Sequence, residues 1–366
     1  MNRNAVKKSG VCRILNLALA GVIVTATLTF AAKTAVPLIL FSGQSNMVCL
    51  GAANNELPIV ADRTKLYENI KIHNRSDAAS SKWSTLKPGF GGDAQHFGPE
   101  LYFGKILMDS MPNTKFAFIK DATSGTYIED PADKTKGWLP PSSNNGTGGK
   151  LFVSMMTHID NALKEFKDAY DTALYEPKWA GFVWLQGEFD GMNQTSANHY
   201  EVNLTNLIKD IRAKAKADSM PVVIPMICQT TSPSMKWTYI DIIHAAEIAV
   251  TVKLKKCDTT QLKDYKYVSD NVHFNAASMA TIGTNCAQRW LKMKYINNTV
   301  PVIYQEKKSS ANISALRNAS ENTAIFNLTG RQIGNSVSNV NSSNISSGSV
   351  IYNSKIITNV NTSINK

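Results

Sequence analysis

The chain has 366 residues, 43% of them hydrophobic and 18% charged, a globular balance that excludes a wholly disordered or collagen-like protein. The length suits one large core or two domains. The formal charge of +11 is dispersed rather than blocked, so a nucleic-acid partner is not expected, while an acidic polysaccharide is compatible with it.

Four of the positive charges, Arg3, Lys7, Lys8 and Arg13, fall in residues 1–32, which contain no acid. An apolar run from Ile14 to Phe30 and the small residues Ala31 and Ala32 follow. This order of basic, apolar and small residues predicts a signal peptide over 1–32, and hence a secreted or cell-surface protein; an uncleaved anchor is the competing reading. Cys12 precedes the apolar run, where a lipid-anchored cysteine would have to follow it.

Residues 33–304 alternate compact, β-rich apolar runs with amphipathic stretches. Strands are expected at Val36–Phe41, Lys115–Ile119, Ala180–Leu185 and Val222–Ile227, and helices at Leu151–Ala169, Tyr200–Ala217, Tyr239–Val252 and Ala276–Tyr295. Doubly buried strands alternating with helices predict an α/β fold, a three-layer α/β/α sandwich around a mainly parallel sheet. Functional groups then collect beyond the carboxyl ends of the strands. The aperiodic Gly-, Pro-, Ser- and Asn-rich stretch Asp121–Lys150 reads as a surface loop bordering a site.

Residues 309–366 hold 12 Asn and 13 Ser among 58 positions. A linker over 305–323 and a small β tail over 324–366 are expected there, with disorder as the alternative.

Beyond Cys12, four cysteines remain: Cys49, Cys228, Cys257 and Cys286. In an exported chain they allow three pairings. One or two disulfides in the C-terminal half are expected, with buried free thiols as the alternative. No CxxC pair suggests zinc.

Three clusters carry candidate chemistry, each placed after an expected strand or before an expected helix. Ser42-Gly43-Gln44-Ser45-Asn46-Met47 follows the first strand. A serine at a tight strand-to-helix turn exposes its hydroxyl beside unpaired backbone N–H groups, although the same residues also suit a capping turn. Trp184-Leu185-Gln186-Gly187-Glu188-Phe189-Asp190 offers the Gln186 amide, a neutral donor of the kind an oxyanion needs, or else an ordinary polar loop. Asp270-Asn271-Val272-His273 supplies an imidazole with a carboxylate three residues away to orient it. His73, His96, His158, His199 and His244 show no comparable partner in this reading.

Together these clusters resemble the SGNH hydrolase superfamily, in particular its sialate O-acetylesterase-like branch, which also holds the acetylxylan esterases of carbohydrate esterase family six. The resemblance runs from Val36 to Trp290. The branch's GQSNM pattern puts the nucleophile on Ser45, its WxQGExD block matches Trp184 through Asp190, and its DxxH gives Asp270 and His273. Ser124-Gly125-Thr126 stands where the branch has Gly-Gly-Thr and makes Gly125 a backbone oxyanion donor, with Ser124 as a departure. The resemblance implies a flavodoxin-like sheet and a Ser45–His273–Asp270 acyl-enzyme mechanism. Its oxyanion hole consists of the Ser45 and Gly125 N–H groups and the Gln186 amide. Glu188 and Asn46 are expected to support these groups, with Glu188 an alternative partner for His273. Phe97-Gly98-Pro99-Glu100 is read as structural support. No step requires a metal or cofactor.

The implied substrate is an acetylated carbohydrate, with plant xylan leading and O-acetyl sialic acid second. A catalytically silent carbohydrate-binding surface protein is the reading of a different class. Trp83, Trp138 and Trp237 are read either as sugar-stacking walls or as core. Ala324 through Arg331 and Ser347 through Tyr352 resemble a Bacteroidetes-type secretion sorting domain, which implies secretion machinery as a partner; a spacer is the alternative.

Overall fold

The computed structural model describes residues 32–76, 81–228, 232, 235–260 and 265–295, with four short strands between 325 and 358. The expected signal peptide and the 305–323 linker lie outside the described residues. The chain divides into two compact units, Met1–Thr299 and Val300–Lys366.

In the first unit, seven strands form one sheet: β1 Thr34–Gly43, β2 Tyr67–Ser76, β3 Trp83–Leu86, β4 Phe116–Ala122, β5 Tyr175–Leu185, β6 Val222–Pro225 and β7 Cys257–Thr260. Their order is β3-β2-β4-β1-β5-β6-β7. All neighbours run parallel except the antiparallel edge pair β2–β3. Among the described residues six α-helices accompany them: α1 Ser45–Val48, α2 Pro99–Ser110, α3 Lys150–Lys164, α4 Gln194–Ala215, α5 Ile240–Lys253 and α6 Ala276–Tyr295.

The aromatic contacts show how both faces of the sheet are filled. Phe41 on β1 and Phe118 on β4 meet Phe103 of α2, and Phe103 and Phe116 meet Trp290 of α6. On the other face Trp184 of β5 packs against Trp138 and donates its indole N–H to Tyr200 Oη on α4. This is the expected three-layer α/β/α architecture. The last residues of β1, from Leu38 to Gly43, are all buried, as strands covered on both faces require.

From β1 the chain first builds β2, β3 and β4 on one side, then β5, β6 and β7 on the other. The carboxyl end of β1 is therefore a switch point, where open α/β sheets leave a crevice. Ser45 sits there.

The elements not anticipated were β2, β3, β7 and α2. In β7 the sequence Cys-Asp-Thr-Thr carries almost no apolar signal, and β2 interleaves Ile70 and Ile72 with charged residues. The second unit holds four antiparallel strands, β8 Ile325–Phe326, β9 Gln332–Gly334, β10 Ser349–Tyr352 and β11 Lys355–Thr358, in the order β11-β10-β8-β9.

Among the described residues Cys49, Cys228, Cys257 and Cys286 are free thiols, and none of the expected disulfides is formed there. Cys49 and Cys286 are core residues, and burial pushes the Cys49 thiol up to about 12. Trp138 and Trp237 are also interior, at 0% and 1% exposure, and half-buried Trp83 donates its indole N–H to the Ala162 carbonyl. None of the three forms an open sugar wall.

Candidate active site

The nucleophile turn is shaped by its neighbours before any catalytic group enters. Gly43 ends β1 against the backbone of Leu185, so close that a Cβ at position 43 would lie 1.9 Å from the Leu185 carbonyl oxygen. Only glycine fits. Gln44 then donates its backbone N–H to that same carbonyl at 3.1 Å, and α1 begins at Ser45. Ser45 is 6% exposed, and its N–H has no acceptor among the described residues.

Three connections hold other loops to this turn. Asn46 supplies the first. Its Oδ1 accepts the Phe274 N–H at 3.0 Å, and its Nδ2 donates to the Val272 carbonyl at 3.3 Å and to Glu188 Oε1 at 2.8 Å. The residue beside Ser45 thus grips the chain on both sides of His273. Gly51 reinforces the contact: a Cβ there would meet His273 Cβ at 2.9 Å and the Phe274 carbonyl at 2.7 Å.

Gln44 makes the second connection, its Oε1 accepting the Thr126 N–H at 3.2 Å. Thr126 is held further by the Trp138 indole, which donates to its Oγ1 at 2.8 Å. The neighbouring Gly125 is exposed and adopts φ +69°. Side-chain room is adequate there, the nearest atom to a Cβ being Phe189 Cζ at 3.5 Å, so the left-handed backbone is what favours glycine. The Gly125 N–H, like that of Ser45, has no acceptor among the described residues.

A buried ion pair makes the third. Lys120 Nζ lies 3.0 Å from Glu100 Oε2 and donates to the carbonyls of Phe90 at 2.6 Å and Val48 at 3.4 Å. Both side chains are essentially unexposed. An unpaired buried ammonium would be costly; here the pair supports the end of α1. The Phe97-Gly98-Pro99-Glu100 segment enters through Glu100, whose Oε1 also accepts the Gly98 N–H.

Asp270 and His273 form a compact pair. Asp270 Oδ1 accepts the N–H groups of Val272 and His273 at 2.8 and 2.9 Å, and Oδ2 lies 2.6 Å from His273 Nδ1. Burial alone would raise this carboxyl, but the two backbone donors and the imidazole outweigh it and hold Asp270 below the ordinary carboxylate range. An ionised Asp270 fixes the proton on Nδ1 and leaves Nε2 with its lone pair.

The other carboxyls behave differently. Burial pushes Glu188 up, against the hydrogen bond from Asn46. Glu247 on α5, fully buried, is pushed well above the ordinary range by burial first and by nearby Glu188 second. Both are held toward the neutral acid. Of the two carboxyls considered for His273, only Asp270 touches the ring and favours the charged form.

Gln186 departs from its expected role as an open donor. The side chain is 0% exposed, and Nε2 donates to the Thr126 carbonyl at 2.9 Å and to Asp190 Oδ2 at 2.6 Å. Both amide hydrogens therefore have acceptors inside the fold, and the group positions the Gly125 loop. Asp190 completes that support by accepting the Ile128 N–H at 2.9 Å, and burial raises its carboxyl to about 7.

The histidines read as lacking acids also need correction. His158 Nδ1 lies 2.8 Å from Asp121, His73 Nε2 lies 3.1 Å from Glu165, and the two rings meet at 2.8 Å. His199 meets Glu129 at 3.1 Å, and His96 meets Asp93 at 2.7 Å. Only the last pair, at DxxH spacing, left a local trace in the sequence. His244 bonds the Ile227 carbonyl. Among the described residues no cluster of three or more His, Cys, Asp or Glu side chains could hold a metal ion, and no helix is long and apolar enough to cross a membrane.

Comparison with known proteins gives this arrangement a context. Residues 35–292 match the family model described as carbohydrate esterase, sialic acid-specific acetylesterase. A probable carbohydrate esterase of Arabidopsis thaliana is 28% identical over 109 residues, a match spanning 30% of this chain and 39% of that protein. The solved structure of the Arabidopsis protein superposes with a TM-score of 0.53 at 20% identity, covering 70% of this chain and 98% of the other. The crystal structure of NanS gives 0.51 at 13% identity, with 72% and 99% covered. These two likenesses bear on the fold.

Proposed function

The chain belongs to the sialic acid-specific acetylesterase family of carbohydrate esterases, and from that premise we propose that it removes O-acetyl groups from carbohydrate through Ser45, His273 and Asp270. The observation that carries the reading is the Asn46 clamp, which ties the Ser45 turn to both neighbours of His273. In this mechanism His273 Nε2 takes the hydroxyl proton as Ser45 Oγ attacks the acetyl carbonyl. The developing oxyanion rests on the unpaired N–H groups of Ser45 and Gly125. His273 then protonates the departing sugar oxygen, and water repeats the sequence to release acetate and restore Ser45. Asp270 stabilises the imidazolium in both halves.

A neutral acetylated pyranose, as in plant xylan, fits the site better than sialic acid. Sialic acid carries a carboxylate, for which Arg or Lys is the usual partner. The one base placed around Ser45 above, Lys120, is buried and already paired with Glu100, and Asp270 adds negative charge. The family's own description favours the sialate reading. Acetate release from acetylxylan and from O-acetylated sialic acid decides between them. The expected order is xylan first, with no release by Ser45→Ala; preference for the sialate reverses the substrate, and release by Ser45→Ala ends the mechanism. The same reading places the enzyme outside the cytoplasm, and a mature N-terminus near Lys33 on the exported protein checks it.

A further inference from the structure

With the three tryptophans absorbed into the core or its edge, other aromatic surface stands beside Ser45. Tyr127 and Phe189 are both half-buried, and their rings meet edge to face with centroids 5.4 Å apart at 87°. Each lies one residue away from a residue bonded to a neighbour of the nucleophile. Tyr127 follows Thr126, which bonds Gln44; Phe189 follows Glu188, which bonds Asn46. The Phe189 ring edge also comes within 3.5 Å of the position a side chain at Gly125 would take. The Phe189 ring therefore borders the exposed backbone donor, with Tyr127 packed against it, and the bonds of Thr126, Ile128 and Gln186 to Gln44 and Asp190 hold their loops.

We infer that Phe189, with Tyr127 buttressing it, forms a shelf for the apolar face of the sugar ring whose acetyl group is being removed, which makes Phe189 a specificity-determining residue. The inference rests on the esterase reading for the identity of the ligand. A pyranose presents axial C–H groups on one face, and a flat ring covers them at little entropic cost. The shelf acts on the leaving-group side, so an ester without a sugar does not sense it.

The test uses the full chain and two measurements. In Ser45→Ala, an acetylated xylo-oligosaccharide is titrated calorimetrically with and without Phe189→Ala; the shelf predicts an approximately tenfold weaker Kd, within the range of ring-stacking contacts. In the active chain, Phe189→Leu, which keeps apolar bulk but removes the plane, should raise KM for the oligosaccharide about tenfold and leave kcat/KM for ethyl acetate within twofold. An unchanged Kd, or equal losses on both substrates, overturns the shelf. If the native chain cleaves ethyl acetate while the Ser45→Ala chain fails to bind the oligosaccharide, the shelf falls and the esterase stands. Should the native chain release no acetate while the Kd change holds, the esterase reading falls and the shelf stands.

Discussion

Asp93-Ala94-Gln95-His96 and Asp270-Asn271-Val272-His273 share a spacing and nearly share a geometry. In each, an aspartate accepts a backbone N–H two residues on, at 2.7 and 2.8 Å, and holds the imidazole Nδ1, at 2.7 and 2.6 Å. Even their exposure is similar, with histidine side chains 26% and 19% accessible. They differ in what grips the flanking backbone. The residues around His96 bond to Ala52 and Gly91, whereas those around His273 bond to Asn46. A DxxH segment thus encodes an oriented imidazole. Its use depends on a third residue, distant in sequence, that brings it to a nucleophile.

The comparison breaks most sharply at the imidazoles themselves. His273→Ala should lower acetyl ester turnover by on the order of 10⁴-fold or more, and His96→Ala should leave it within about threefold; steady-state kinetics on one acetyl ester reads both. At the carboxylates, Asp270→Asn should cost about 10²- to 10⁴-fold by removing the charge that fixes the tautomer, the lower figure reflecting its partial exposure. Asp93→Asn should cost less than threefold. Equal losses in the two pairs would dissolve the distinction.

Asn46→Ala sharpens it further. That variant keeps Ser45, His273 and Asp270 but releases the grip between them, so kcat should fall by about 10- to 100-fold with KM little changed, a loss typical of misplaced catalytic groups. The smallest effect concerns the support of the Gly125 loop. Burial raises Asp190 from an ordinary 3.8 to about 7, so the stability it contributes is complete below 3.8 and is lost as pH rises through about 7. Asp190→Asn cannot titrate, so its melting temperature, followed from pH 4 to 8, should fall less steeply than the native chain's. An unchanged slope would return Asp190 to the ordinary range.

The sequence revealed the parts of this molecule whose signals are local. The apolar runs of β1, β4, β5 and β6 and the helices α3 to α6 announced the sandwich because doubly buried strands and amphipathic helices leave period in the chain. The Gly-Gln-Ser-Asn turn and the Asp270–His273 spacing were legible for the same reason. What escaped was non-local. Asp121 meets His158 across 37 residues and Lys120 meets Glu100 across 20, so neither pairing has a motif. Gln186 was read as an open donor because its acceptors, Thr126 and Asp190, come together only when the Gly125 loop folds over β5. The tryptophans stayed open between wall and core for a related reason, since an interior indole bonded to a neighbouring hydroxyl, as Trp138 is to Thr126, has the same one-letter code as one that stacks on sugar.

The most direct test of the account is phosphonylation by a fluorophosphonate. Ser45 Oγ would form a bond to phosphorus as fluoride leaves, with the hydroxyl proton passing to His273. Peptide mass spectrometry should place the label on Ser45, at a rate that collapses in His273→Ala and persists in His96→Ala. Labelling of another residue, or equal rates in both variants, would contradict it.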